Sequence, residues 1–115
     1  MTNIVENSDI TVNVSVKQSD GVTAYDLTGA SIRFAVYQKK ETPIQIFEDG
    51  DVTRVSVPGG TIKVYLDRAN LNNLKEDSKL YAELELRVTD SNFAGSVQVL
   101  KVTGIDLGTV KNSVL

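Results

Sequence analysis

An apolar/polar alternation of period two, returning several times, most constrains what this chain can fold into. It is clearest in Lys79–Val88, where Leu80, Ala82, Leu84, Leu86 and Val88 point one way and Tyr81, Glu83, Glu85 and Arg87 the other. Ile10, Val12, Val14 and Val16 alternate with Thr11, Asn13 and Ser15 in the same manner. Ile32, Phe34 and Val36 repeat the pattern, and so do Ile62, Val64 and Leu66. Successive side chains of a strand leave opposite faces, whereas a helix returns to a face every 3.6 residues. Each of these runs therefore reads as a half-buried β-strand.

Turn residues separate the runs. Asp26-Leu27-Thr28-Gly29-Ala30 opens the strand through Phe34 as a turn: Asp26 and Thr28 can bond nearby backbone, and Gly29 takes positive φ without a Cβ penalty. Ser19-Asp20-Gly21 reads as a turn and Val22–Tyr25 as a short edge strand. Lys39-Lys40-Glu41-Thr42-Pro43 is a loop, Ile44, Ile46 and Phe47 suggest a strand, and Glu48-Asp49-Gly50-Asp51 is an acidic turn. Val52–Val57 follows with Val55 and Val57 on one face. Val57-Pro58-Gly59-Gly60 fits a type II turn, Pro58 setting φ and Gly59 supplying the positive φ.

One stretch suits a helix. Asp67 is a suitable N-cap, and Leu71 and Leu74 lie three apart, but Asn72 and Asn73 limit it to two turns. The last strand runs from about Phe93 to Asp106. The apolar phase changes there from Val97 and Val99 to Leu100 and Val102, the shift expected of a β-bulge. Val110, Val114 and Leu115 in the tail are suited to pair with a partner strand. The expected fold is all-β: an antiparallel immunoglobulin-like β-sandwich of seven or eight strands, with one short helix near residues 67–74, in a single domain spanning residues 1–115.

Composition narrows the chemistry. The chain has no cysteine and no histidine, which removes thiolate metal sites, disulfides, the Ser-His-Asp relay and the usual base at neutral pH. A net charge of −3 is wrong for phosphate-backbone binding, and 6% aromatic content without tryptophan is poor for base stacking. No apolar run approaches the ~20 residues of a membrane span. Met1-Thr2-Asn3-Ile4-Val5-Glu6 lacks the basic and apolar regions of a signal peptide, so a cytoplasmic origin is expected.

Four groups of side chains invite a chemical reading. Glu48, Asp49 and Asp51 could offer oxygen ligands to calcium but lack the spacing of a full calcium loop, and a solvated turn explains them better. Glu83 and Glu85 pair on one strand face beside Tyr81 and Arg87, as an exposed charged face also would. Lys17, Arg33, Lys39 and Lys40 make at most a small basic patch. Tyr25, Tyr37, Tyr65 and Tyr81 would form a protein-binding surface only if several shared one outer face. No residue is assigned as catalytic, cofactor-binding or metal-ligating, and no cofactor is expected.

The order of motifs resembles the immunoglobulin-like structural domain of tailed bacteriophages and prophages, similar to the N-terminal domain of baseplate upper proteins. The likeness rests on Ser8-Asp9-Ile10-Thr11-Val12-Asn13-Val14, the Asp20-Gly21 turn, and above all Asp26-Leu27-Thr28-Gly29-Ala30-Ser31-Ile32-Arg33-Phe34. It continues through Gly59–Asp67, Leu74, Leu80-Tyr81 and Thr89-Asp90, and departs from the family pattern at Asn7-Ser8-Asp9-Ile10. The resemblance implies a non-enzymatic virion structural protein, a docking module in the tail, baseplate or adhesion apparatus, assembled in the host bacterial cytoplasm. Its partners would be other virion proteins and copies of itself, with no nucleic acid, membrane or small-molecule substrate. A capsid decoration or head-fibre protein and a carbohydrate-binding β-sandwich module are the alternatives.

Overall fold

Each alternating run forms a strand wherever turn residues bound it. The structure is a computed structural model that describes residues 3–72 and 74–112. Its strands are β1 (Asn3–Val5), β2 (Ile10–Ser15), β3 (Ser31–Tyr37), β4 (Gln45–Phe47), β5 (Thr53–Ser56), β6 (Thr61–Leu66), β7 (Lys79–Thr89) and β8 (Val97–Lys111). They form two sheets, ordered β1-β8-β7-β3-β4 and β2-β6-β5. The chain is thus all-β, mostly strand with almost no helix.

The alternating apolar rows become the core. Ile32, Phe34 and Val36 of β3, Leu80, Ala82, Leu84 and Leu86 of β7, and Ile62, Val64 and Leu66 of β6 join one buried cluster. Rows from both sheets thus share one core, as an apolar face on each sheet demands. Leu27 and Leu71 reach the same cluster from loops, and Phe34 packs on Phe47 with ring centroids 6.2 Å apart. Among the described residues, none that is polar or charged is fully buried.

The turn before β3 forms as its residues require. Asp26 Oδ1 accepts from the Thr28 N–H at 2.9 Å and from its hydroxyl at 2.6 Å, and Gly29 sits at φ 72. The Ala30 N–H closes the turn on the Leu27 carbonyl at 3.0 Å.

Several expectations need correction. The pairing is not wholly antiparallel: β1 runs parallel to β8, with Asn3, Ile4 and Val5 opposite Thr109, Val110 and Lys111. No hairpin joins these two strands, so no tight turn holds them antiparallel, and Ile4 and Val110 are both buried where they pair. The helix near residues 67–74 is a 3-10 turn at Arg68–Asn70. Asp67 does cap it, accepting from the Ala69 N–H at 2.9 Å, but only Leu71 is fully buried and the polar Asn70 and Asn72 give nothing to extend it. Asn73 lies outside the described residues, as do Val114 and Leu115, and Val110 pairs within the chain.

Val22–Tyr25 forms no strand beyond an isolated bridge of Lys17 to Ala24. In β5 the register shifts between Arg54 and Ser56, so Val55 turns outward (52% exposed) while Val57 packs on the core. At the β5–β6 turn the positive φ falls on Gly60 (φ 69), not Gly59, which makes the turn other than type II. A Cβ on Gly60 would lie 2.5 Å from the Tyr25 carbonyl oxygen and 2.7 Å from that of Val16. The demand for glycine comes from that close approach, which the local sequence does not carry.

The final strand also differs. From Val97 to Val102, β8 pairs without interruption against Thr89 to Leu84, so the phase change between Val99 and Leu100 is no bulge. The register shifts instead lie opposite Leu80/Tyr81 and Ala82/Leu84, at Leu107 and at Thr103–Gly104. At about 3.3 Å per residue the strand runs roughly 50 Å, the length of a molecule measuring 52 × 26 × 25 Å.

Candidate interaction surface

β8 presents a long stretch of strand paired on one side only. β7 pairs with one side of this strand from Val97 to Thr109, whereas among the described residues β1 covers the other side only at Thr109–Lys111. Residues 97–106 therefore form a free edge, and a strand paired on one side directs alternate N–H and C=O groups outward. The regular part, Val97-Gln98-Val99-Leu100-Lys101-Val102, is apolar on both faces. Val99 stands opposite Arg87 on the outer face and is 44% exposed; Val102 stands opposite Leu84 on the core side and is 46% exposed. Beyond it, a turn closed by the Asp90 N–H on the Ser96 carbonyl carries Phe93 at 47% exposure.

Two polar side chains shape where this edge ends. The Tyr37 hydroxyl accepts from the Gly104 N–H at 3.2 Å and lies 3.3 Å from Thr103 Oγ1. Tyr37 is buried by stacking on Tyr81, with ring centroids 5.9 Å apart, although it belongs to the outer face. Gly104, at φ 70, supplies the backbone conformation that the bulge needs. At the second bulge, Asp106 accepts from the Gly108 N–H at 2.9 Å and from Lys79 Nζ. The Lys79 hydrogen bond is the main cause holding the Asp106 carboxyl below the usual range.

The outer face of β3 and β7 is a charge ladder. Arg33 donates to both oxygens of Glu48, at 2.9 and 3.0 Å, and stands opposite Glu85. Glu85 also receives Arg87 and has Lys101 at 3.9 Å. Its carboxyl is held below its ordinary range, chiefly by the Arg87 hydrogen bond, so it stays ionised. A general acid requires the opposite shift, so Glu85 does not have the environment of one.

The acidic turn is taken up by the fold in a similar way. Asp49 Oδ1 accepts from the Ile32 N–H at 2.8 Å and from Arg54, whose guanidinium also donates to the Ala30 carbonyl at 2.8 Å. These contacts, the Arg54 bond first, lower the Asp49 pKa. Glu48–Asp51 thereby latches β4 and β5 to the start of β3. Among the described residues no three acidic side chains gather as a metal site.

The other groups read from the sequence disperse. Arg33 is ion-paired, Lys17 sits on the bridge to Ala24, and Lys39 lines a cavity with Lys75. Tyr37 and Tyr81 share a face, Tyr65 is exposed on the smaller sheet, and Tyr25 packs against the core. The cavity, about 650 Å³, lies between the loop after β3 and the segment before β7. Gln38, Thr42, Asn70, Asn72 and Ser78 line it with Pro43, Ile44 and Leu74. Among the described residues, no tyrosine and no acid lines it. Gln38 is itself committed, bonding the Lys75 backbone through both amide atoms at 3.0 and 2.9 Å.

Sequence reasoning missed both the open edge and the Tyr37 tether. Val97–Val102 is apolar on both alternations, a pattern read as a bulge and one that by itself suggests a covered strand. No local signal marks Tyr37, whose partners lie 66 and 67 residues away.

Among the described residues, no helix is long and apolar enough to cross a membrane. No family model matches the chain, and no curated protein matches it significantly.

Proposed function

We propose that this chain is a virion structural protein of a tailed bacteriophage, a non-catalytic module with an immunoglobulin-like sandwich that docks on neighbouring virion proteins. The reading joins the resemblance carried by Asp26–Phe34 to one observation, the free edge at Val97–Val102 with Val99 and Val102 exposed on its two faces. Exposed edges accept an added strand, whose main-chain hydrogen bonds supply affinity while side-chain pockets select the partner. The charged outer face of β3 and β7 is largely ion-paired within the chain, which favours the apolar edge of β8 over that face as the contact surface. Localisation of gold-labelled antibody on purified virions tests the reading. Label on the tail or baseplate supports it, and label on the head supports the capsid decoration alternative. Particles free of the chain would refute both.

A further inference from the structure

We infer that the free edge of β8 pairs with the same edge of a second copy of this chain, antiparallel, about a two-fold axis through Leu100. The inference deepens the docking reading and rests on its premise that the sheet edge is the contact surface.

The register follows from the faces. A two-fold axis normal to the sheet keeps each face on its own side, so a residue pairs only with one on the same face. The residue on the axis then pairs with itself, which leaves Val99, Leu100 or Lys101 as centres of the regular run. A Lys101 centre sets like charges opposite each other, which destabilises a strand pair. A Val99 centre pairs Gln98 with Leu100 and Val97 with Lys101, and leaves the exposed Val102 beyond the pairing. A Leu100 centre sets Leu100 against Leu100, Gln98 against Val102, and Val99 against the aliphatic stem of Lys101. It covers both valines that stand 44% and 46% exposed. The bulge at Thr103–Gly104, held by Tyr37, then ends the pairing on both copies.

Composition of the edge agrees with this occupant. Natural edges resist self-pairing with charges, proline or bulges. Val97–Val102 has one lysine, no proline and no glycine, and its bulges come only after it. In the Leu100 register that lysine meets valine, so the one charge on the edge does not oppose pairing. Two short strands bury well under the ~1,000 Å² of a stable interface, so the pair is weak in dilute solution and forms where copies are concentrated.

The chain has no cysteine, so single introduced thiols report the register directly. Leu100→Cys, oxidised under mild conditions, is expected to give a disulfide-linked dimer about tenfold more readily than the exposed loop variant Ser19→Cys, a difference of about 1.4 kcal/mol. Mixing Val99→Cys with Lys101→Cys should cross-link the two variants to each other more than either to itself. Adding Val99→Lys to Leu100→Cys should abolish the excess, with circular dichroism confirming the fold. If Leu100→Cys is poorly folded, the Val99→Cys and Lys101→Cys mixture decides alone, because both positions are exposed. Cross-linking no greater than that of Ser19→Cys overturns the inference. Virion labelling is independent: labelled particles without the cross-link remove self-pairing and keep the virion reading, and a cross-link without labelled particles does the reverse.

Discussion

Replacing Gly60 by alanine tests how the segment from Val16 to Tyr25 is held to the β5–β6 turn. Gly60 sits at φ 69, a conformation that costs an L-residue about 1 kcal/mol. The new Cβ would also lie 2.5 Å from the Tyr25 carbonyl oxygen and 2.7 Å from that of Val16. Both are backbone atoms, so neither swings aside as a side chain does. Relief requires the strands to part, which breaks the Val16 N–H bond to the Gly60 carbonyl (2.8 Å) and the Tyr25 N–H bond to the Val16 carbonyl (2.9 Å). Each is worth about 1 kcal/mol, so the loss is about 3–4 kcal/mol, a large part of a typical domain's stability. Unfolding entropy near 2.1 cal/mol/K per residue converts this to about 12–16 °C in Tm for 115 residues. Gly21→Ala is the matched control: its φ is 73, but nothing lies within 4 Å of the new Cβ. It should cost about 1 kcal/mol, or about 4 °C, from the backbone conformation alone. Thermal unfolding by circular dichroism, with urea titration alongside, measures both. Equal losses in the two variants would refute the close-approach argument.

Further tests address the tether, the latch and the core. Tyr37→Phe keeps the stack on Tyr81 but removes the hydroxyl at Gly104, so stability should fall by about 1 kcal/mol, and amide exchange at Gly104 should accelerate while that of Ile32 stays unchanged. Asp49→Asn should cost about 0.5–1 kcal/mol, a figure kept low because the Asp49 and Arg54 side chains are 50% and 26% exposed; its effect should be non-additive with Arg54→Gln in a double-mutant cycle. Asp49, Glu85 and Asp106 have lowered folded pKa values, so the stability they add is present above the ordinary carboxylate range and is lost as pH falls below it through the lowered folded values. With no histidine to titrate between, urea midpoints should be flat from about pH 5 to 8 and fall below about pH 4. Leu27→Ala, at a side chain 1% exposed, should cost about 2–5 kcal/mol by urea titration.

The strands and their buried faces were legible in the sequence because strand periodicity is a property of the backbone itself. Alternation at Ile32–Val36, Ile62–Leu66 and Leu80–Leu86 needs no knowledge of neighbours, and all three rows are buried. The Asp26–Gly29 turn was legible for the same reason, since Asp26 bonds a residue two positions on. Other features belong to contacts between distant segments. Gly60 must be glycine because Val16 and Tyr25 approach it, and Tyr37 sets the bulge at Gly104 from across the sheet. Glu48 and Asp49, read as a turn with spare carboxylates, are occupied by Arg33, Arg54 and the Ile32 amide. Which strand becomes an edge is likewise a tertiary matter. β8 is apolar on both faces, the composition of a covered strand, yet among the described residues it lies open along residues 97–106, since β1 pairs with it at Thr109–Lys111. Local chemistry determines where a strand forms and which side it buries; only the packed chain decides which backbone groups are left to meet a neighbour.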